Sequence, residues 1–168
     1  GSDYVAVPLT TLTFAPGETS KQVTVSVNGD NVFENNETFL VNLTNAINAT
    51  ISDNQGQGTI QNDDAAPTLT ISDVTLAEGN AGTTAFTFTV TKTGLTELSS
   101  SVDAVTANGT ASAPGDYAAA GPTTLTFAPG TTTQTFTVNV NGDNVYENNE
   151  TFLVNLTNAI NATISDSQ

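Results

Sequence analysis

The residues of this chain that are equipped for chemistry are nearly all carboxylates, and they cluster. Asp30, Glu34 and Glu37 fall within one turn and the start of the next strand. Asp143, Glu147 and Glu150 repeat that spacing, and Asp63-Asp64 place two acids side by side. Histidine and cysteine are absent, which removes the usual general base, the nucleophile dyads and the ligands that zinc favours. What remains is hard anionic oxygen. That donor set suits Ca2+, which takes about six to eight oxygens in tolerant geometry. The D-x-D-x-D-G spacing of an EF-hand loop is missing, so the ligands would have to converge from separate loops. Glu37 shares strand parity with Phe39, Val41 and Leu43, and so does Glu150 with its own following strand. A carboxylate facing a core needs a metal ion or backbone N–H donors, unless it sits hydrated at the wet end of its strand.

Charge narrows the partners. Seventeen acidic residues stand against Lys21 and Lys92, for a net charge of −15. Such a surface repels nucleic acid, whose affinity comes from Lys and Arg neutralising phosphates. It avoids anionic membranes and attracts divalent cations; plain solubility is the bland alternative. No apolar run approaches membrane-spanning length, and no signal-peptide pattern is present. Without His, Cys or Arg, only a carboxylate pair could catalyse anything, and these carboxylates are better explained as ligands, so no enzyme is expected.

The elements that must position these acids come twice. Residues 3–55 recur at 116–168, an offset of 113, with 41 of 53 positions identical. A period of one small domain means a tandem array. Within it the hydrophobic period is two. Val23, Val25 and Val27 alternate with Thr24 and Ser26, and Phe86, Phe88 and Val90 alternate with Thr87 and Thr89, as half-buried strands do. Turn signals such as Asn28-Gly29-Asp30 and Asn141-Gly142-Asp143 punctuate them. The fold class expected is all-β, an immunoglobulin-like antiparallel sandwich repeated in tandem. In the unit that opens at Pro67, strands are expected near 68–74, 84–92, 100–107, 123–127, 134–141, 151–157 and 162–165. Lys21 and Lys92 invite the idea of isopeptide cross-links, but Gln134 replaces Lys21 in the second copy, which argues against a link common to all units.

An ordered set of motifs resembles the Calx-beta family over nearly the whole chain. It runs through Ala77-Glu78-Gly79, Gly115-Asp116-Tyr117 and Leu125-Thr126-Phe127-Ala128-Pro129-Gly130. It continues in Asp143, Glu147, Glu150-Thr151-Phe152 and in Gly58-Thr59-Ile60 leading to Asn62-Asp63-Asp64. Gly1-Ser2-Asp3-Tyr4 also resembles the family's pre-strand motif, which favours native sequence there. The resemblance implies a sandwich that holds Ca2+ in the loops at one end. It implies as ligands Glu78, the Asp before Tyr (Asp116 and Asp3), the acidic turn (Asp143 and Asp30), the next glutamate (Glu147 and Glu34) and the closing Asp63 and Asp64. Glu150 and Glu37 stand beside this set rather than in it. The turn departs from the family's best calcium sensors, since Gly29 and Gly142 precede a single Asp, which points to fewer ions and weaker binding.

On this reading residues 1–64 are the C-terminal half of one repeat, and residues 65–168 are a second repeat without its closing strand. The expected function is a calcium-binding structural or adhesive module of an extracellular, secreted bacterial surface or fibre-forming protein. Its expected partners are neighbouring repeats of the same or identical chains, by strand complementation, with no nucleic acid and no membrane insertion. A calcium-responsive switch and an accessory domain of a secreted enzyme are the alternatives.

Overall fold

A computed structural model describes residues 3–168; Gly1 and Ser2, the start of the pre-strand motif, lie outside the described residues. All its regular elements are strands: β1 Glu37–Asn42, β2 Gln55–Ile60, β3 Thr68–Ile71, β4 Thr83–Thr93, β5 Ser100–Asn108, β6 Thr123–Phe127, β7 Thr133–Asn141, β8 Phe152–Ile160 and β9 Thr163–Ile164. The chain divides into two compact units. One runs up to Asn31 and takes in Asn35–Asp63; the other comprises Val32–Glu34 with Asp64–Gln168.

The second unit is a sandwich of two sheets, ordered β7-β4-β3-β9 and β6-β5-β8. The long pairings β4–β7, β5–β6 and β5–β8 are antiparallel, and β3 meets β9 in parallel. Alternation sends Phe86, Phe88 and Val90 of β4 inward, against Val102 and Ala104 of β5 and Val154 and Leu156 of β8. Thr87 and Thr137 meet on the outer face, their hydroxyls 3.1 Å apart. This is the division of labour expected of β-branched polar and apolar residues on a pleated sheet. Val32–Glu34 joins this unit through a parallel bridge: Phe33 N–H donates to Leu95 O at 3.1 Å, and Thr96 Oγ1 donates to Phe33 O at 2.8 Å.

The first unit contains the antiparallel pair β1–β2. A regular strand expected at Val23, Val25 and Val27 does not form there: Val27 makes an isolated bridge with Tyr4, and Val23 and Val27 are exposed. The reason is the missing neighbour. In the second unit the equivalent residues are β7, and β7 exists by pairing along β4; the first unit has no described counterpart of β4. The same logic separates Phe14, 52% exposed, from its repeat equivalent Phe127, 0% exposed. Backbone conformation, by contrast, is copied faithfully. Asn45 and Asn48 take the left-handed region at φ 54° and 57°, and Asn158 and Asn161 do so at 55° and 53°, as local Asn turns allow.

One buried residue breaks the pattern. Lys92 is 4% exposed on the inward face of β4, its Nζ 5.8 Å from the centre of the Phe127 ring and without a hydrogen-bond partner. Lys21 instead pairs with Glu18 at 2.5 Å. Neither contact is the Lys-to-Asn or Lys-to-Asp pairing that an isopeptide would need. Burial lowers the Lys92 amine from its ordinary 10.5. A base with a depressed folded value has its full stability contribution above the unfolded value and loses it as pH falls through the folded one.

Two outcomes follow from this packing. Phe127→Ala should cost about 3–5 kcal/mol in chemical denaturation of the second unit, whereas Phe14→Ala should cost less than about 1 kcal/mol. Lys92→Met should stabilise by about 1–3 kcal/mol at neutral pH, and its advantage should shrink as pH rises toward 10.5; an unchanged or lowered denaturation midpoint would contradict this account of the buried amine.

Candidate metal centre

Three loops meet at one end of the second sandwich, and backbone contacts set their spacing. The loop before β4 is held by Thr84, whose Oγ1 donates to Glu78 O at 2.5 Å. Gly142, at the exit of β7, donates its N–H to Gly82 O at 3.0 Å. A Cβ at position 142 would lie 2.6 Å from Gly79 O and 2.8 Å from Glu78 O, so no side chain fits. This accounts for the glycine that stands before Asp143. At Gly29, the equivalent position, a Cβ would meet nothing within 4 Å, because the first unit has no described loop corresponding to 78–82.

The loop after β5 carries Asp116. Its N–H donates to Ser112 O at 3.0 Å, and its Oδ2 accepts the Ser112 N–H at 2.7 Å. Asn141 fastens the loop to the end of β7: its N–H donates to Asp116 O at 2.8 Å, and its Nδ2 donates to Pro114 O and Gly115 O at 2.9 and 2.7 Å. Next to Asp116, Tyr117 is buried and stacks on Phe152 with centroids 4.7 Å apart and planes at 21°. Its hydroxyl donates to Asn108 Oδ1 at 2.7 Å. Phe152 follows Glu150 by two residues, and Thr151 N–H donates to Thr110 Oγ1 at 2.8 Å. The stack therefore sets Glu150 beside Asp116.

The result is a group of three carboxylates, Asp116, Glu147 and Glu150, each offering an oxygen within 4.8 Å of the others. Glu78, half-buried, and Asp143, which caps its own turn by accepting Val145 N–H at 2.7 Å, complete the surroundings. Partial desolvation, followed by the charges of Asp143, Glu150, Glu78 and Asp116, raises Glu147 above 4.5. Desolvation, followed by Asp116 and Glu78, raises Glu150 in the same way. Every charge acting on this pair is another carboxylate. Two oxygens on one calcium ion at about 2.3–2.6 Å can lie no further apart than roughly 4.6–5.2 Å, so a group within 4.8 Å is compatible with one shared ion.

Of the sequence-expected ligands, the structure brings Asp116 and Glu147 together and sets Glu78 and Asp143 within their electrostatic reach. Asp3 and Asp30 are in the first unit, as is Asp63; Glu34 and Asp64 belong to the second. Among the described residues these five do not join a group of three. Glu37 is exposed at the start of β1, and Glu150 is exposed too yet belongs to the cluster. Its parity with Phe152 marked Glu150 in the sequence as a carboxylate in need of a partner, but not as a neighbour of Asp116.

Comparison with known proteins places the chain in a family. A family model of the Calx-beta domain matches residues 1–73 and again residues 62–166. The chain belongs to the Calx-beta family. Two successive matches are what a tandem pair of Calx-beta repeats produces, and the family is one of calcium-binding domains. Among solved structures, the crystal structure of the apo form of the Calx CBD1 domain is similar with a TM-score of 0.51 and 24% identity, covering 60% of this chain and 88% of that one. It shows the same β-sandwich fold. The crystal structure of CBD12 from CALX1.2 has a TM-score of 0.46 and 32% identity, covering 48% of this chain and 33% of that one. No curated protein matches the sequence.

The raised glutamates of this cluster set a pH dependence. An acid with a raised folded value contributes most below its unfolded value and loses that contribution as pH rises through the folded one. Asp103 acts in the opposite sense: hydrogen bonds from Thr124 and then Asn158 lower it from 3.8, so its contribution is lost on acidification below that value. In chelator the melting temperature should therefore climb as pH falls from 7 toward 4.5, and Glu150→Gln should flatten the climb. An identical slope in the variant would remove the cluster as its cause.

Proposed function

We propose that this chain is a calcium-binding structural or adhesive repeat module of an extracellular bacterial surface or fibre-forming protein. The observation that carries this reading is the Asp116, Glu147 and Glu150 group within 4.8 Å, on which every charge effect is repulsive. Asp116, Glu147 and Glu150 would hold the ion, with Glu78 and Asp143 adding negative potential around it. A bound divalent cation would supply the missing positive charge and tie together loops that otherwise repel one another. Such a site is built for stiffness rather than catalysis, and no His, Cys or Arg is present to support a reaction.

The extracellular setting rests on composition. A cysteine-free chain of net charge −15, rich in Thr and Asn and carrying near-identical repeats, suits a long array working in millimolar calcium, where loose oxygen sites are occupied. Neighbouring repeats, of the same chain or of identical ones, are the natural partners.

Calcium titration followed by thermal unfolding tests the proposal. Binding to the folded state alone stabilises by about 2.7 kcal/mol at a hundredfold excess over Kd. Millimolar calcium should raise the melting temperature, chelator should reverse the rise, and Glu147→Gln with Glu150→Gln should abolish it. No shift up to millimolar calcium would return the carboxylates to a solubility role.

A further inference from the structure

Asparagine followed two positions later by threonine is the acceptor pattern for N-linked glycans. It occurs seven times, at Asn36, Asn42, Asn48, Asn108, Asn149, Asn155 and Asn161. A chain rich in both residues produces such triplets by composition alone. The fold sorts them, because a transferase must draw the triplet into its peptide groove and reach the amide nitrogen.

Five are tied into the fold. Asn42 lies in β1 opposite Gln55, and Asn155 lies in β8 opposite Val105. Their Oδ1 atoms accept the side-chain amides of Gln55 and Gln168, each at 3.0 Å. Asn108 ends β5, and its Oδ1 accepts both the Tyr117 hydroxyl at 2.7 Å and the Ala113 N–H at 3.0 Å. Asn161 stands in a left-handed turn at φ 53°, its Nδ2 donating to Ser99 O at 2.9 Å, and Asn48 holds the equivalent turn at φ 57°. Each would have to leave its strand or give up its turn to be modified.

Asn149 and Asn36 differ. Both are exposed and stand just before a strand, β8 and β1 respectively. Asn36 accepts the Asn62 N–H through Oδ1 at 2.9 Å, so the nitrogen that a glycan would join takes no part in that bond. Each copy has a neighbour that the other lacks. Asn36 remains exposed with β2 paired along β1, and Asn149 remains exposed with Gly142 bonded to the loop before β4. Access to this position therefore does not come from a missing neighbour. The flanking residues agree as well, Glu-Asn-Asn-Glu-Thr at 34–38 and again at 147–151. None of the other five triplets has an acid two positions before its asparagine. Glu147 and Glu34 thus add an anionic handle for a cationic peptide groove.

We propose that Asn149, with its repeat equivalent Asn36, is an acceptor for an N-linked oligosaccharide delivered from a polyprenyl diphosphate. The amide Nδ2 attacks the anomeric carbon of the first sugar. The new N–C bond forms as the bond from that carbon to the diphosphate oxygen breaks. The diphosphate leaves with the bonding electron pair, and the amide nitrogen gives up one proton to a base, so nothing is oxidised or reduced. The inference rests on the extracellular reading, since such donors are used on the outer side of the cytoplasmic membrane; it does not rest on the metal site. A glycan there would follow Glu147 and precede Glu150 in the chain, adding bulky, hydrated volume at the acidic end of the sandwich.

The purified full chain, incubated with a bacterial oligosaccharyl transferase and an undecaprenyl-diphosphate oligosaccharide, tests this by intact mass and peptide mapping. Glycan is expected on Asn149 and Asn36 and on no other triplet. Asn149→Gln should lose one of the two mass increments. Thr151→Ala should lose the same increment and Thr151→Ser should keep it, which separates the acceptor hydroxyl from a role in packing. Glu147→Gln should lower occupancy at Asn149. A synthetic peptide of residues 145–153 is the positive control. A folded chain left bare at Asn149 while the peptide is glycosylated would overturn the inference, and so would equal occupancy of all seven triplets. Export is read separately, by fractionating cells that produce the chain. A chain that accepts glycan at Asn149 but stays in the cytoplasm therefore defeats the extracellular reading and leaves the acceptor standing.

Discussion

The stack of a tyrosine on a phenylalanine from a later strand is the contact on which this architecture turns. It occurs twice. Tyr117 lies on Phe152 at 4.7 Å, and Tyr4 lies on Phe39 at 4.9 Å with planes at 27°. Aromatic pairs in such offset arrangements contribute about 0.5–1.5 kcal/mol beyond the area they bury. In the second unit the pair is roofed by Phe86 and Phe88, each 5.9 Å from Phe152. In the first it persists with Tyr4 partly exposed. The stack is thus local in origin and belongs to the repeat itself, and each ring sits within two residues of an acid. Aromatic contact places the carboxylates side by side; their mutual repulsion is tolerated because the rings and the Asn141 hydrogen bonds hold the loops in place.

Everything beyond that local contact depends on what lies alongside. The two copies share their turns down to the left-handed asparagines, yet the stretch that forms β7 in one copy forms no regular strand in the other. Side-chain pattern specifies which face of a strand is apolar, but a strand exists through its partners' hydrogen bonds. The exposed Phe14 and the buried Phe127 make the same point in a single side chain.

The division between what could be read and what could not follows the same line. Alternating Val, Phe and Thr placed β4, β5, β6 and β7 to within a residue, since period two is a property of each segment alone. Asp116 and Glu147 were legible because acids in an otherwise cation-poor chain stand out. Glu150 was harder: its membership depends on Asp116, 150 − 116 = 34 positions away, and on the ring beside it, a relation between segments that spacing does not encode. Lys92 shares the parity of Phe86, Phe88 and Val90, so its inward direction was legible; that its amine finds no partner there was not, because parity marks a face and not what meets it.

The close approach of Gly142 to the backbone at residues 78 and 79 has a bearing on how such repeats can diverge. A second acid immediately before Asp143 is the simplest way to strengthen the turn, and in the second unit that route is sterically shut. The corresponding glycine of the first unit is unconstrained, but it stands where no opposing loop is described. An acid at position 142 therefore requires the backbone of the loop before β4 to move first.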